Sequence, residues 1–339
     1  MNRSIVITQP FSVSFIDAPM PTPKEGEVLL KMLYGGICGS DLGTYRGTFA
    51  YVSYPRIPGH EFSAEIVEVG KNDRGLKPGM VVTANPYFNC GKCYSCKRGI
   101  LNACVSNQTL GAQRDGAFSK YICLPIERIY DGKGLSAKAL ALVEPYCISY
   151  HGVSRAQIKP GERVLIVGAG TIGILAMIAA KKFGAKVYVA DVAEGKLEYA
   201  RQFGAEGTIL NDSPEAFAKR VSDITNGDGF DVAVEAVGLP STFQGCIDSC
   251  AFGGRVVLIG VGKQNLDFNF TLIQKKELHV LGSRNALKQD FMDAIDYFKS
   301  GAFDFEKIIS AFFKFEDAPK AFETFDKNAG KMLKVVIEF

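Results

Sequence analysis

Hydrophobic residues in the first part of the chain form short runs that proline and glycine interrupt. Runs of strand length, rich in β-branched and aromatic residues, lie at residues 4–7, 27–34, 62–69 and 118–124. Turn sequences such as Lys77-Pro78-Gly79 separate them. The pattern predicts an all-β, barrel-like unit up to about residue 130, followed by a short helix that Ser136 caps.

The pattern changes after the turn Lys159-Pro160-Gly161-Glu162. Apolar strands then alternate with helical segments, and the predicted strands are residues 164–167, 186–190, 208–210, 231–235, 255–259 and 278–281. This alternation indicates a parallel, doubly wound sheet, and hence an α/β protein. Two helices, at about residues 290–300 and 317–326, and a strand at residues 334–338 complete the prediction, and that strand is expected to return to the first unit.

Composition narrows the class of protein. The chain has 339 residues, 47% of them hydrophobic and 22% charged, with a net charge of +3 and no basic patch, so we expect two globular domains and no nucleic-acid partner. Residues 1–10 lack a signal-peptide pattern. The longest apolar run, residues 172–180, is too short to span a bilayer. These features predict a cytoplasmic protein without a membrane partner.

Four of the nine cysteines crowd into one segment. They follow the spacing C-x2-C-x2-C-x7-C, at Cys90, Cys93, Cys96 and Cys104. Four thiolates saturate a tetrahedral zinc ion and leave no open position, so the spacing predicts a structural zinc site. An iron–sulfur cluster and four free thiols are the weaker alternatives.

A second group of potential metal ligands is spread over two segments. Cys38 follows the run at residues 27–34, and His60 and Glu61 precede the run at residues 62–69. One thiolate and one imidazole with carboxylates nearby form a donor set typical of a catalytic zinc ion with an open position. The alternative is a histidine at a strand edge beside a surface acid.

A glycine-rich segment follows the strand at residues 164–167 and opens a helix: Gly168-Ala169-Gly170-Thr171-Ile172-Gly173. This context predicts a dinucleotide site in which the backbone binds the pyrophosphate at the helix N-terminus. Asp191, after the next strand, is placed to accept hydrogen bonds from the ribose hydroxyls and to repel a 2′-phosphate, which favours NAD over NADP. Lys196 could reach the same ribose. Asp191 could also cap the following helix, and the two roles are compatible.

Taken in order, these signals resemble the zinc-containing medium-chain dehydrogenases over the whole chain. Further matching segments are Cys38-Gly39-Ser40-Asp41, Phe230-Asp231 and Gly253-Gly254-Arg255. The resemblance implies a GroES-like β-barrel catalytic domain at residues 1–147 and 285–339, with a Rossmann NAD-binding domain at residues 148–284. It also implies one catalytic and one structural zinc per chain, cofactor contacts from Val237, Val261 and Ser283, and a homodimer or homotetramer.

Within this family the chain is most similar to the sorbitol dehydrogenase-like polyol and sugar-acid branch. That branch carries a Glu-Pro, here Glu144-Pro145, where liver-type alcohol dehydrogenases carry a cysteine ligand. Gly282-Ser283-Arg284-Asn285-Ala286 is similar to a segment of the L-galactonate and L-gulonate 5-dehydrogenases. The resemblance implies zinc- and NAD-dependent oxidation of a secondary alcohol to a ketone, for example at C5 of a hexonate. A threonine or butanediol dehydrogenase, a polyol-phosphate dehydrogenase, and an inactive nicotinamide-binding protein are the alternatives.

The resemblance also implies roles for individual residues. Cys38, His60 and Glu61 would hold the catalytic zinc, and Asp41 would accept a hydrogen bond from His60. Neighbouring residues in a strand point to opposite faces, so Glu61 can join His60 only if the backbone turns there. Glu144 competes with Glu61 for that place, bound directly or through the zinc water.

The remaining roles concern the proton and the substrate. Ser40 would take the alcohol proton. Gly43 stands where many family members have a relay histidine, so the cofactor ribose and water, or His151, must complete the relay; His151 could equally be structural. Arg284 would bind the carboxylate of a sugar acid with two parallel hydrogen bonds, or else pack in the protein as a structural arginine. Ala64 replaces a usual glycine, a change that affects packing more than chemistry.

Overall fold

The computed structural model describes residues 1–262 and 264–339, which form two compact units. The discontinuous unit contains Met1–Glu144 and Leu287–Phe339, and the central unit contains Pro145–Ala286. The domain boundaries predicted from the sequence, at 147/148 and 284/285, lie a few residues away from these junctions. The first junction falls inside the helix Val143–Arg155, so no change of secondary structure marks it.

The strands, in chain order, are β1 (Asn2–Gln9), β2 (Ser12–Ala18), β3 (Glu27–Ile37), β4 (Glu61–Val69), β5 (Val81–Ala84), β6 (Tyr87–Phe88), β7 (Gln108–Thr109), β8 (Tyr121–Pro125), β9 (Ile129–Asp131), β10 (Arg163–Val167), β11 (Lys186–Asp191), β12 (Gly207–Leu210), β13 (Phe230–Glu235), β14 (Cys250–Leu258), β15 (His279–Gly282), β16 (Ile309–Lys314) and β17 (Lys334–Glu338).

The α-helices are α1 (Gly39–Arg46), α2 (Tyr94–Lys97), α3 (Ala137–Leu140), α4 (Val143–Arg155), α5 (Thr171–Lys182), α6 (Glu194–Gln202), α7 (Pro214–Thr225), α8 (Pro240–Ser249), α9 (Thr271–Lys276), α10 (Lys288–Lys299) and α11 (Ala318–Lys327). Ser136 caps α3 as predicted, since its hydroxyl accepts a hydrogen bond from the Ala139 N–H.

The discontinuous unit is built on a sheet whose strand order is β16-β17-β3-β4-β5-β9, with β8 also paired to β3. The closing strand β17 pairs antiparallel with β3, so the prediction that it returns to the first unit is confirmed. The apolar faces of β3 and β4 pack into one core cluster. Ala64 is fully buried there with Met32 and Val82, so the alanine is accommodated as a packing residue.

The central unit contains six parallel strands in the order β12-β11-β10-β13-β14-β15. The predicted parallel, doubly wound sheet is therefore confirmed. Successive strands run outward from β10 to one edge and then from β13 to the other, so the order reverses between β10 and β13. The carboxyl ends of the strands at such a reversal are where open α/β sheets bind their ligands.

Helix length and hydrophobicity bear on whether a segment could cross a membrane. None of the helices in the described parts of the chain combines the length and the hydrophobicity that crossing a bilayer requires.

Candidate metal centres and dinucleotide site

The four clustered cysteines form a compact group of sulfur atoms. The Sγ atoms of Cys90, Cys93, Cys96 and Cys104 all lie within 4.8 Å of one another, and all four cysteines are free thiols. The short pair β6–β7 and the single-turn helix α2 hold this segment, hereafter the cysteine lobe (residues 89–107). The donor set and its closeness fit a tetrahedral zinc ion with no position left for a substrate.

Backbone N–H groups of the lobe point at the sulfurs. The Cys90 N–H donates to Cys104 Sγ at 3.3 Å, and the Cys93 N–H donates to Cys90 Sγ at 3.4 Å. Burial raises the pKa of Cys96 to about 11, whereas hydrogen bonds from the backbone of Cys96 and Val105 lower that of Cys93 to about 6. These donors stabilise thiolate, which is the form that binds a metal. The local backbone therefore prepares the lobe for metal binding.

A second group of donor atoms lies in the discontinuous unit. The ligand atoms of Cys38, His60 and Glu61 all lie within 4.8 Å of one another. Cys38 precedes α1, while His60 and Glu61 stand at the beginning of β4. The antiparallel pairing of β3 with β4 places Gly36 opposite Glu61, which brings the start of β4 beside the end of β3.

The backbone turns immediately before His60. Gly59 has φ of +98°, a conformation that strongly favours glycine, and a Cβ there would lie 2.1 Å from the ring of Phe118. His60 precedes the strand, which begins at Glu61, so strand alternation does not force the two side chains to opposite faces. The backbone turn that Glu61 needs in order to lie on the same side as His60 is therefore present.

Asp41 has a different role from the predicted one. Its Oδ1 lies 4.0 Å from His60 Nδ1, too far for a hydrogen bond, and that ring nitrogen is buried without a hydrogen-bond partner. The carboxylate instead accepts hydrogen bonds from the N–H groups of Cys38 (2.9 Å) and Gly59 (3.1 Å). Asp41 therefore braces the two segments that carry the thiol and the imidazole, and these backbone donors hold it in place.

Buried charges surround the donor atoms. Burial, together with the neighbouring Glu61, raises the pKa of Glu144 to about 7, although His60 and the Tyr87 hydroxyl oppose the rise. Tyr87 donates a hydrogen bond to Glu144. Burial lowers the pKa of His60, but the charges of Cys38 and Asp41 outweigh it, so the pKa lies well above its usual value. The donor atoms therefore lie among buried titratable groups of both signs that influence one another's protonation.

Lys334 is a member of this site that sequence reasoning missed. Its Nζ lies 2.5 Å from Glu61 Oε2, and the two side chains are only 3% and 1% exposed. It also donates to the carbonyl of Ile37 at 3.3 Å. The sequence shows a lysine at the start of the apolar run of β17, which is an unusual place for a charge. Because 273 residues separate it from Glu61, its pairing could not be predicted from spacing. Tyr87 was missed for the same reason.

This donor set fits a zinc ion. It offers one thiol, one imidazole and one buried carboxylate whose ligand atoms lie within 4.8 Å of one another, and the buried Glu144 carboxylate interacts electrostatically with His60 and Glu61. These are the donor types that a catalytic zinc ion takes in proteins. Glu61 lies within the group of donor atoms and is held by Lys334, whereas Glu144 is held by Tyr87; both carboxylates are candidates for the third protein ligand.

The predicted proton-relay residues fall in different units. Ser40 is half-buried in the first turn of α1, where its carbonyl accepts a hydrogen bond from Thr44 Oγ1. Gly43 lies one turn further on, where a Cβ would lie 3.3 Å from Phe49 Cβ. His151 lies in the central unit, buried in α4, and its carbonyl accepts a hydrogen bond from Ser154 Oγ. The role of each residue stays a prediction.

The glycine-rich segment forms the predicted strand–turn–helix in the central unit. Gly170 stands at the N-cap of α5, and Thr171 and Ile172 form its first turn. Gly168 has φ of +105°, which permits the turn after β10. A Cβ on Gly173 would lie 1.7 Å from the Gly168 carbonyl oxygen, so only glycine lets the helix pack here. The turn and the N-terminus of α5 thus have the form of a pyrophosphate-binding motif, and that role stays a prediction.

Asp191 ends β11 beside this turn. Its Oδ2 accepts a hydrogen bond from the Ala169 N–H at 2.7 Å, and its Oδ1 accepts one from the Ala193 N–H at 2.8 Å. The N-cap of α6 is Ala193, so Asp191 supports the loop before the helix without being its cap. Lys196 Nζ lies 4.0 Å from the Cβ position of Gly170. The predicted ribose-binding residues thus lie beside the glycine-rich turn.

The other predicted cofactor residues follow the ends of β13, β14 and β15. Val237 is 40% exposed and Val261 63% exposed, which is unusual for valines on hydrogen-bonded loops. The Ser283 N–H donates to the Leu258 carbonyl at 2.9 Å. Arg284 is exposed at the end of the central unit. These positions leave the valine side chains open to a ligand.

Comparison with known proteins places these features in a family. The family model described as "Zinc-binding dehydrogenase" matches residues 171–300, and the model described as "Alcohol dehydrogenase GroES-like domain" matches residues 24–133.

Curated relatives match almost the whole chain. The L-galactonate-5-dehydrogenase of Escherichia coli (strain K12) is 34% identical over 335 residues, covering 99% of this chain and 98% of that protein. The L-threonine 3-dehydrogenase of Pyrococcus furiosus is 34% identical over 343 residues, covering 98% and 97%.

A solved structure shows the same likeness. The crystal structure of an alcohol dehydrogenase (rspB) from E. coli CFT073, complexed with NADH, has a TM-score of 0.91 and 31% identity, covering 100% of this chain and 99% of that one. The chain therefore belongs to the zinc-containing medium-chain alcohol dehydrogenases, oxidoreductases that act on the CH–OH group of an alcohol.

Proposed function

We propose that this protein oxidises a secondary alcohol of an open-chain polyol or sugar acid to the ketone, with NAD as the hydride acceptor. A hexonate oxidised at C5 is the first candidate substrate. The observation that carries the proposal is the donor group of Cys38, His60 and Glu61, whose ligand atoms lie within 4.8 Å of one another beside the buried carboxylate of Glu144. The similarity to an L-galactonate-5-dehydrogenase over nearly the whole chain supports the sugar-acid class.

Cys38 and His60 would hold the zinc together with Glu61 or Glu144. When bound, zinc supplies Lewis-acid polarisation of the substrate oxygen. Asp41 fixes the two backbone segments that present the thiol and the imidazole, so it contributes to the geometry of the site. The Lys334 ammonium holds the Glu61 carboxylate in place.

Ser40 is the proposed first acceptor of the alcohol proton. It lies two residues after Cys38 on the first turn of α1, so the same local structure that presents the thiol also positions the hydroxyl. Because Gly43 supplies no side chain for the next step, the cofactor ribose, water or His151 must pass the proton on. The hydride acceptor is the nicotinamide, whose chemistry belongs to the cofactor.

Asp191 supports NAD as the natural cofactor. Both of its oxygens face backbone N–H groups at the glycine-rich turn, yet each carboxylate oxygen can accept more than one hydrogen bond. A ribose diol can donate to this carboxylate, whereas a 2′-phosphate would be repelled by it. We expect kcat/KM with NAD to exceed that with NADP by at least about tenfold. Equal values for the two cofactors would contradict this part of the proposal.

Arg284 is the proposed recognition residue for the substrate carboxylate. A guanidinium is always charged and can form two parallel hydrogen bonds to a carboxylate. A hydrogen bond to a charged group contributes roughly 1.5–3 kcal/mol, so Arg284→Ala should lower kcat/KM for an aldonate by about one to two orders of magnitude. The loss on a neutral polyol should be much smaller.

The deciding experiment is a panel of alcohols followed by NADH absorbance. It should contain L-galactonate, L-gulonate, L-idonate, sorbitol, galactitol, galactitol 1-phosphate, L-threonine and 2,3-butanediol, each assayed with the wild type and with Arg284→Ala. The proposal expects an aldonate to have the highest kcat/KM and to lose most in the variant. A neutral polyol oxidised far better than every aldonate, or an equal loss on both classes, would overturn the sugar-acid assignment.

A threonine dehydrogenase is the second candidate function. The observation that favours it is the 34% identity to the L-threonine 3-dehydrogenase of P. furiosus over 98% of this chain. L-Threonine also carries a secondary alcohol and a carboxylate, so Arg284 would suit it as well. The same panel separates the two, since a threonine dehydrogenase should act on L-threonine and not on the aldonates.

A further inference from the structure

Glu235 is a buried carboxylate in the central unit to which neither the metal sites nor the predicted cofactor contacts assign a role. It is the last residue of β13 and is only 2% exposed. Its Oε1 accepts three hydrogen bonds: from the N–H of Val237 (2.9 Å), from the N–H of Gly238 (2.8 Å) and from Thr242 Oγ1 (2.7 Å). All three donors are uncharged, so the carboxylate is held by the loop that it organises.

The same residue joins the ends of two neighbouring strands. The Glu235 carbonyl accepts hydrogen bonds from the N–H groups of Ile259 (2.9 Å) and Gly260 (3.0 Å), which follow β14. Its Oε2 would lie 2.4 Å from a Cβ on Gly260, so the carboxylate packs directly on that backbone. A Cβ on Gly238 would in turn lie 2.3 Å from the Val261 carbonyl oxygen. The loops after β13 and β14 therefore interlock around Glu235.

This interlocked pair also touches the glycine-rich turn. The Ala236 N–H donates to the Val167 carbonyl at 2.9 Å, at the end of β10. A Cβ on Gly168 would lie 2.6 Å from Val237 Cγ2. The position of the loop at residues 236–238 is thus coupled to the turn that would bind the pyrophosphate.

The order of the strands tells which half of a dinucleotide meets these loops. Asp191 ends β11, on one side of β10, and β13 and β14 lie on the other side. A dinucleotide whose ribose meets Asp191 and whose pyrophosphate meets the turn after β10 must extend over the ends of β13 and β14. The exposed side chains of Val237 and Val261 lie where the nicotinamide half would cover them.

We propose that Glu235 is a positioning residue for the cofactor, which holds the loops carrying Val237 and Val261 in the shape that receives the nicotinamide half. Without its carboxylate, the N–H groups of Val237 and Gly238 lose their acceptor, and the loop must rearrange to find water or other partners. The adenosine half, bound at β11, keeps its contacts. This inference rests on the dinucleotide-binding part of the proposed function and holds for NADH and NADPH alike.

The test measures binding and needs no alcohol substrate, so its result is independent of the substrate panel. Both Kd values are measured on the zinc-loaded protein. The dinucleotide is whichever of NADH and NADPH binds more tightly, and its binding is followed by fluorescence. AMP serves as the probe of the adenosine half, and its Kd is obtained by displacement. For Glu235→Ala we expect the dinucleotide Kd to rise at least about tenfold and the AMP Kd to stay within about twofold. Glu235→Gln, which keeps a neutral acceptor, should give a rise of about three- to tenfold.

Two further variants keep the test decisive. Thr242→Val removes a single donor to Glu235 and should raise the dinucleotide Kd by no more than about threefold, with AMP unchanged. Asp231→Asn is the matched control: this acid lies on the same strand and accepts the Arg163 N–H at 2.8 Å at the opposite end, so neither Kd should change. If Glu235→Ala does not fold, Glu235→Gln decides by the same ratio of dinucleotide to AMP binding. Unchanged dinucleotide binding, or an equal loss of dinucleotide and AMP binding, would overturn the proposal.

Discussion

The two candidate metal centres differ in how widely their donor residues are spread along the sequence. The cysteine lobe takes all four donors from residues 90–104, and neighbouring backbone N–H groups support the sulfurs. The centre at Cys38 and His60 is assembled from α1, β4, α4 and β17, with donors and counter-charges buried together. A site whose residues are close in the sequence can be predicted from their spacing. A dispersed site can be identified only from the fold that brings its residues together.

The two centres are also expected to differ in role, one contributing to stability and the other to catalysis. A closed set of four thiolates holds a loop and leaves no open position, while a mixed set with two competing carboxylates can leave one. Removing ligands from each centre in turn should therefore have different consequences.

The largest effect is expected at the dispersed centre. Cys38→Ser and His60→Ala should each lower kcat/KM by at least about 10³-fold, because the Lewis acid is lost. Metal analysis should fall from two zinc ions per chain to one, while circular dichroism stays that of the wild type. Cys123→Ser, which changes a half-buried cysteine outside both donor groups, is the matched control and should retain activity and both zinc ions. Near-normal turnover in either ligand variant would refute the assignment.

A smaller loss of activity but a clear loss of stability is expected at the cysteine lobe. The double variant Cys93→Ser with Cys96→Ser should lose one zinc ion and lower Tm by about 10 °C, since metal binding contributes to folding. Activity measured well below that Tm should fall less than in Cys38→Ser. If this double variant lost the only zinc ion in the protein, the existence of the catalytic metal centre would be contradicted.

The smallest effect is expected from the counter-charge. Lys334→Met leaves the Glu61 carboxylate buried without its partner, which should cost about 3–5 kcal/mol in free energy of unfolding. The loss is measured by urea denaturation of the chelator-treated protein, so that zinc binding does not enter. Lys320→Met, an exposed lysine on α11, is the control and should change stability by less than about 0.5 kcal/mol.

A second substitution sharpens the test of this ion pair. Adding Glu61→Gln to Lys334→Met removes the unpaired charge, so the double variant should recover a substantial part of the lost stability. If the single variant were as stable as the control, Glu61 and Lys334 would not be coupled in the way that their 2.5 Å separation indicates.

The sequence predicted most of the elements because their hydrophobic periods are strong. The parallel strands of the central unit are nearly all apolar, as in β10, and all but β14 were found within about one residue of their predicted bounds; β14 begins at Cys250 and not at residue 255. The prediction was less accurate for β8, which begins at Tyr121 and not at residue 118. Phe118 is fully buried, but its N–H donates to Pro58 and its carbonyl accepts from Ile5, so it is paired outside the strand. An apolar run alone does not show which backbone partners it will find.

Local chemistry was likewise determined by the sequence itself. The cysteine spacing, the glycine-rich turn and the acid after β11 each lie within a single supersecondary motif, whose geometry follows from nearby residues. For these residues the structure adds distances to a site already predicted.

The tertiary structure alone decided which distant groups share one site. It pairs Lys334 with Glu61 and places the Tyr87 hydroxyl where it donates a hydrogen bond to Glu144. It also directs the Asp41 carboxylate to the N–H groups of Cys38 and Gly59. These outcomes depend on how buried charges and backbone donors satisfy one another in a low-dielectric interior, a condition set by the whole fold. A sequence lists the charged groups, but only packing removes the water that would otherwise satisfy each of them separately.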